Sequence, residues 1–139
     1  MVLIIDTGPI VALLNASDDL HVPCSAPIKT VTEPLIIPAP VIVEVDYWNH
    51  QYLGPIASAG FLRDIVEGAF VVENLNDDDL KRVAELCTQY ADSGLGFVDA
   101  AVLAVVERLK EPKLATIDHR HFHMLRPRHV AALELLPHL

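Results

Sequence analysis

Cysteine is nearly absent from this chain of 139 residues: Cys24 and Cys87 are its only two. They form no Cys-x-x-Cys and no metal-finger spacing, so a disulfide framework is excluded and a reducing cytosol is the expected compartment. Long apolar runs are also missing. No stretch approaches the ~20 apolar residues that a membrane helix needs. The opening Met1-Val2-Leu3-Ile4-Ile5 meets Asp6 at once and has no basic flank, unlike a secretory leader. A soluble, cytoplasmic protein with no membrane partner is therefore expected. No phosphate-cradling or dinucleotide glycine pattern occurs, no internal repeat, and no Ser/His/Asp arrangement that spacing can assign. Basic residues are scarce, 10 against 19 acidic, for a formal net charge of −9. A nucleic-acid partner normally needs a basic footprint, so where the charges lie matters more than their total.

What the chain does hold is apolar material, 52% of residues, in a length suited to one domain spanning 1–139. Val2–Ile5, Leu35–Ile37, Phe70–Val72 and Leu114–Ile117 read as short buried strands, and Ala132–Leu136 as a fifth. Helices are expected at Ile10–Leu14, with Pro9 in the first turn, at Pro40–Leu53 and at Ala57–Val66. Another should run from the acid-rich Asn76–Asp79 to about Tyr90, with Leu80, Val83, Ala84, Leu86 and Cys87 inward. Phe97–Lys110 reads as a strong helix. Residues 17–31 are ambiguous, because Pro23 and Pro27 make any helix there irregular. Strands alternating with helices imply an α/β sandwich around a mostly parallel sheet of four or five strands.

Four carboxylates interrupt apolar runs. Asp6 and Asp118 each end a strand, Glu44 follows Val41-Ile42-Val43 in a helix, and Asp99 breaks the run from Phe97 to Val106. Taking a carboxylate into apolar surroundings costs several kcal/mol unless something compensates it. In a parallel α/β sheet, groups beyond the strand carboxyl ends gather at one edge. Asp6 and Asp118 belong there, Asp99 can point there from its helix's first turn, and Glu44 can arrive from the side. No lysine neighbours Asp6, Glu44 or Asp99, and an all-oxygen set suits a hard cation such as Mg²⁺ or Mn²⁺. Such an ion supports phosphodiester hydrolysis. Thr7 and Thr116 flank the strand-end aspartates and can orient carboxylates or a bound water. Asp92, before the Gly94/Gly96 break, is a secondary candidate. Asp46 lies ~200° around the helix from Glu44 and belongs elsewhere. Structural roles stay open too: Asp6 and Asp99 as helix caps, Asp118 in a polar turn, Glu44 in solvent.

Other constellations are weaker. Asp6-Thr7-Gly8 matches the aspartic-protease triplet, but that chemistry needs paired triplets in an all-β frame. A phosphatase of the haloacid-dehalogenase type wants an aspartate where Gly8 stands. His119, His121, His123 and His129 cluster beside Asp118; a zinc site, a phosphate contact or proton transfer is conceivable, and a polar turn is the plainer reading. Cys24 and Cys87 read as structural. Tyr47 and Trp48 suit a core, a dimer interface or a partner contact.

Four segments together, "VLIIDTGPIVALL", "PAPVIVEV", "GFVDAAVLAVVERL" and "LATIDHRHFHMLRP", resemble the PIN-domain ribonucleases, and among them the VapC-type toxins of toxin–antitoxin modules. The resemblance spans nearly the whole chain in the right order. It implies a PIN-like three-layer sandwich. It puts the family's acidic metal ligands at Asp6, Glu44, Asp99 and Asp118, and its Thr-x-Asp pattern at Thr116 and Asp118. It further implies Mg²⁺- or Mn²⁺-dependent cleavage of RNA, commonly a structured one such as tRNA or rRNA, by a metal-activated water. A homodimer and inhibition by a small cognate antitoxin, whose C-terminal segment covers the site, are also implied. Pro23 and Pro27 stand where the family has a regular helix. The alternatives are a catalytically silent PIN-like binding module and a nuclease acting on DNA.

The charge of −9 is unevenly spread. From Arg108 to Arg128 six basic residues face two acidic ones, giving +4 and leaving −13 elsewhere. Arg120, Arg126 and Arg128 are expected to form a basic strip beside Asp118 that guides a phosphate backbone.

Overall fold

The apolar runs become five short strands: β1 (Leu3–Ile4), β2 (Leu35–Pro38), β3 (Val71–Glu73), β4 (Lys113–Ala115) and β5 (Glu134–Leu136). They are seen in a computed structural model that describes residues 1–139. β1 pairs with β2 and β2 with β3, while β4 pairs with β5, all parallel. A parallel bridge between Ile5 and Ala115 joins the two groups. The spatial order is therefore β3-β2-β1-β4-β5, and the order reverses beside β1. In open α/β sheets, that reversal opens a crevice at the strands' carboxyl ends.

Seven helices surround the sheet: α1 (Thr7–Leu14), α2 (His21–Thr30), α3 (Ala39–Tyr52), α4 (Pro55–Val66), α5 (Asp77–Gln89), α6 (Phe97–Arg108) and α7 (His119–Met124). Proline at the first or second position opens α3 and α4, where its missing N–H has no partner to lose. Gly54, at φ +89°, makes the turn between them. Asn76 and Asp79 form a reciprocal capping box at the start of α5. α6 is the central helix: every residue from Ala100 to Val106 is buried, and it packs on α5, α3 and β2.

Three expectations are corrected. Residues His21–Thr30 form a helix with Pro27 inside it. Pro23 sits in the first turn, where N–H groups are unpaired in any case, and the Asp18 side chain accepts the Leu20 N–H just before it. The polar turn expected after Asp118 is α7, capped by the Asp118 side chain. Finally, Leu80 and Ala84 face solvent, while Asp79 is buried and held by Arg108 through two bonds of 3.0 and 3.1 Å.

Candidate active site

Asp6 follows β1 at the reversal point, and its N–H donates to the Ala115 carbonyl across it at 2.9 Å. The residue is only 5% exposed. It occupies the N-cap position of α1 but makes no side-chain cap bond. Its carboxylate instead accepts the Thr116 hydroxyl at 2.9 Å. Thr116 Oγ1 in turn accepts the Asp118 N–H at 3.1 Å, so one buried hydroxyl ties the two strand-end aspartates together. On the other side, Thr7 donates its hydroxyl to Glu44 at 2.6 Å, bringing α3 against the start of α1. Asp99 enters from the first turn of α6.

Gly8 lets these elements close up. A Cβ there would stand 2.4 Å from Ile117 Cγ1, so any larger residue must displace the Ile117 side chain beside Thr116 and Asp118.

The electrostatics are those of an uncompensated acidic centre. Burial pushes the Asp6 carboxyl up to about 7; the negative Asp99 and Glu44 add to the rise, while the Thr7 amide and the Thr116 hydroxyl oppose it. Asp99 is also raised, by burial first and then by Asp118 and Glu44, with His121 in partial opposition. Every Lys or Arg ion pair in the molecule goes to other acids. A cluster of carboxylate oxygens that disfavours its own ionisation is the donor set a hard divalent cation requires. Ligand atoms of Asp99, Asp118 and His121 lie within 4.8 Å of one another, with Asp6 and Glu44 in the same field, so the residues present fit a hard divalent cation.

Glu44, Asp99 and Asp118 line a cavity of about 640 Å³ that is also bordered by Trp48, Asn49 and Tyr52. Trp48 and Tyr52 stack, with ring centroids 5.2 Å apart and planes 12° from parallel. Tyr47 and Trp48 are exposed on α3, which removes the core reading for them. Asn49 is buried with its side-chain amide unpartnered, and no sequence signal marks it.

Other candidates lie apart. Asp92 is exposed in a 3-10 turn (Ala91–Ser93), where the left-handed Gly94 ends the turn, and it does not line the cavity. Asp46 lies 3.7 Å from His50, one turn along α3. The basic strip is not a strip: Arg128 pairs with Glu85 at 2.6 Å and borders a different cavity beside Arg82 and Glu107. Arg120 and Arg126 are exposed, and their side chains make no ion pair. His119 bonds the Thr116 carbonyl and His129 the Glu111 carbonyl, while His123 packs edge-on to His119, so no three-histidine zinc site forms. Cys24 and Cys87 are free thiols.

A parallel α/β domain with four carboxylates gathered at the reversal point of its sheet defines the class of this protein. A family profile described as PIN domain matches residues 3–126, and the chain belongs to the PIN-domain family. It is 30% identical over 125 residues to Ribonuclease VapC26 of Mycobacterium tuberculosis (strain ATCC 25618 / H37Rv), covering 90% of this chain and 93% of that one. Its fold resembles that of Mycobacterium tuberculosis VapC20, described as a sarcin-ricin loop cleaving toxin. The TM-score is 0.78 at 19% identity, over 84% of this chain and 90% of the other. It also resembles a chain of a toxin–antitoxin complex from Klebsiella pneumoniae, with a TM-score of 0.68 at 18% identity, over 88% and 92% of the two chains. These structural likenesses bear on the fold.

Proposed function

We propose that this protein is a metal-dependent endoribonuclease toxin that hydrolyses RNA phosphodiester bonds and is neutralised by a cognate antitoxin. The observation that carries the proposal is the convergence of Asp6, Glu44, Asp99 and Asp118, from four separate segments, with no Lys or Arg paired to any of them. The 30% identity to a chain named a ribonuclease supports the reaction, and the likeness to a chain of a toxin–antitoxin complex supports the partner.

Asp6, Glu44, Asp99 and Asp118 would hold Mg²⁺ or Mn²⁺, directly or through water. A bound divalent cation lowers the pKa of water and offsets charge on phosphoryl oxygens. The chain's own groups prepare for this. Thr116 fixes Asp6 and the Asp118 backbone, and Thr7 fixes Glu44, so the carboxylates are oriented before substrate arrives. Asp6, whose carboxyl burial raises to about 7, would have to be ionised to serve as a ligand. Arg120 and Arg126, exposed and without an ion pair, would meet backbone phosphates, with Arg128 paired to Glu85. Exposed Val43, Tyr47, Ile56 and Val66 on α3 and α4 support protein contacts, a homodimer and the antitoxin among them. No helix is long and apolar enough to cross a membrane.

The test uses a structured RNA and a DNA of matching sequence, with Mg²⁺, against wild type, Asp6→Ala and Asp99→Ala. Wild type should cleave the RNA, and both variants should lose cleavage while keeping their circular dichroism. Undiminished RNA cleavage by both variants removes the assignment, and faster cleavage of DNA redirects it.

A further inference from the structure

Of the four histidines between 119 and 129, one faces the acidic centre. His121 Nδ1 lies 2.8 Å from Asp118 Oδ2 and 3.7 Å from Asp99 Oδ2. One ligand atom from each of Asp99, Asp118 and His121 lies within 4.8 Å of the others. Atoms bound octahedrally at about 2.1 Å stand about 3 Å apart when adjacent and about 4.2 Å apart when opposite. The two distances from His121 Nδ1, 2.8 and 3.7 Å, fall inside the span of a shared coordination sphere. Local structure imposes it: the Asp118 side chain caps α7 by accepting the His121 N–H at 3.2 Å, so the imidazole is delivered to the same carboxylate. His119 and His129 bond backbone carbonyls and His123 packs edge-on to His119, so His121 alone of the four joins the acidic group.

We infer that His121 is a direct nitrogen ligand to the divalent cation held by Asp99 and Asp118. The centre is then a mixed oxygen–nitrogen site that favours Mn²⁺ over Mg²⁺. This rests on the proposed reading of the carboxylates as a metal centre. Imidazole adds affinity for first-row transition ions, whereas Mg²⁺ keeps oxygen ligands and water. Coordination through Nδ1 uses the neutral ring with its proton on Nε2, so a hydrogen on Nδ1 facing Asp118 would first pass through solvent to Nε2. The competing role is positional: His121 would orient Asp118 by a hydrogen bond and never touch the ion.

Pulsed electron paramagnetic resonance separates the two roles without any activity measurement. The full chain is loaded with one equivalent of Mn²⁺, with ¹⁴N- or ¹⁵N-histidine incorporated. The expected spectrum shows directly coordinated nitrogen that shifts on ¹⁵N labelling and vanishes in His121→Ala. In that variant Mn²⁺ affinity should fall by a larger factor than Mg²⁺ affinity, whereas a purely orienting role would lower both alike. Bound Mn²⁺ with no nitrogen coupling in wild type overturns the inference and leaves the carboxylate centre standing. Failure to bind Mn²⁺ at all overturns both. The wild-type spectrum decides even if the variant does not fold.

Discussion

Thr116 is the smallest group on which the site depends, because its buried hydroxyl serves two aspartates at once. Thr116→Val keeps the shape and removes both bonds. Stability should fall by about 1–2 kcal/mol, and divalent-ion affinity by about 10–100-fold, read by denaturant unfolding and calorimetric titration. Asp6 supplies a pH signature. Its carboxyl titrates near 3.8 when unfolded and at about 7 when folded, so the folded state holds the extra proton. The resulting stabilisation is complete below the unfolded value and is lost as pH rises through about 7. The melting temperature of the metal-free chain should therefore drop between about pH 4 and pH 7. Asp6→Asn should flatten that drop, and Mg²⁺ should reverse it in wild type; a pH-independent melting temperature contradicts the buried, proton-holding Asp6. These carboxylates were legible in the sequence because each one breaks an apolar run. The direction of His121 was not, since it follows from an i, i+3 relation in a helix whose start looked like a turn.

Among the elements, α6 and the loop before α7 set the site's frame. Arg82 on α5 holds Glu107 on α6 through bonds of 2.7 and 3.0 Å, with both side chains largely buried. Arg82→Ala leaves that carboxylate without its main partner and should cost about 3 kcal/mol in chemical denaturation. Gly8→Ala pushes on Ile117, which overpacking values put at about 1–3 kcal/mol, against a helix-propensity gain of at most about 1 kcal/mol. Net destabilisation and weaker metal binding are expected, from the same titration and unfolding curves. The strand and helix order could be read from apolar runs and punctuation. What could not be read were the choices made by polar contacts. The capping box turns Asp79 inward to Arg108, so Leu80 loses the inner position that its spacing with Val83 and Cys87 suggests. Pro27 is tolerated because the helix around it packs against α1, a tertiary effect that propensity does not contain.

For the molecule as a whole, the net charge of −9 conceals how the basic residues are spent. Arg108, Lys113 and Arg128 each hold an acid from a distant part of the chain, so much of the apparent basic segment is internal bracing. Sequence proximity could not reveal this, because Lys113 and Glu33 are 80 positions apart. Lys110 borders the cavity beside Arg82 and Glu107, and Arg120 and Arg126 remain. Replacing both with Ala should weaken RNA binding and reduce the salt dependence by about one to two phosphate contacts, measured by fluorescence anisotropy at several salt concentrations. Four of the acidic residues gather at the reversal point of the sheet, the proposed cation site. Anomalous diffraction from a crystal of the chain soaked in Mn²⁺ tests this most directly. The expected result is a strong peak about 2.2 Å from Asp99 and Asp118 oxygens, with Asp6 and Glu44 ligating it directly or through water. A Mn²⁺ peak elsewhere with the four carboxylates unligated, or no peak at all, would contradict it.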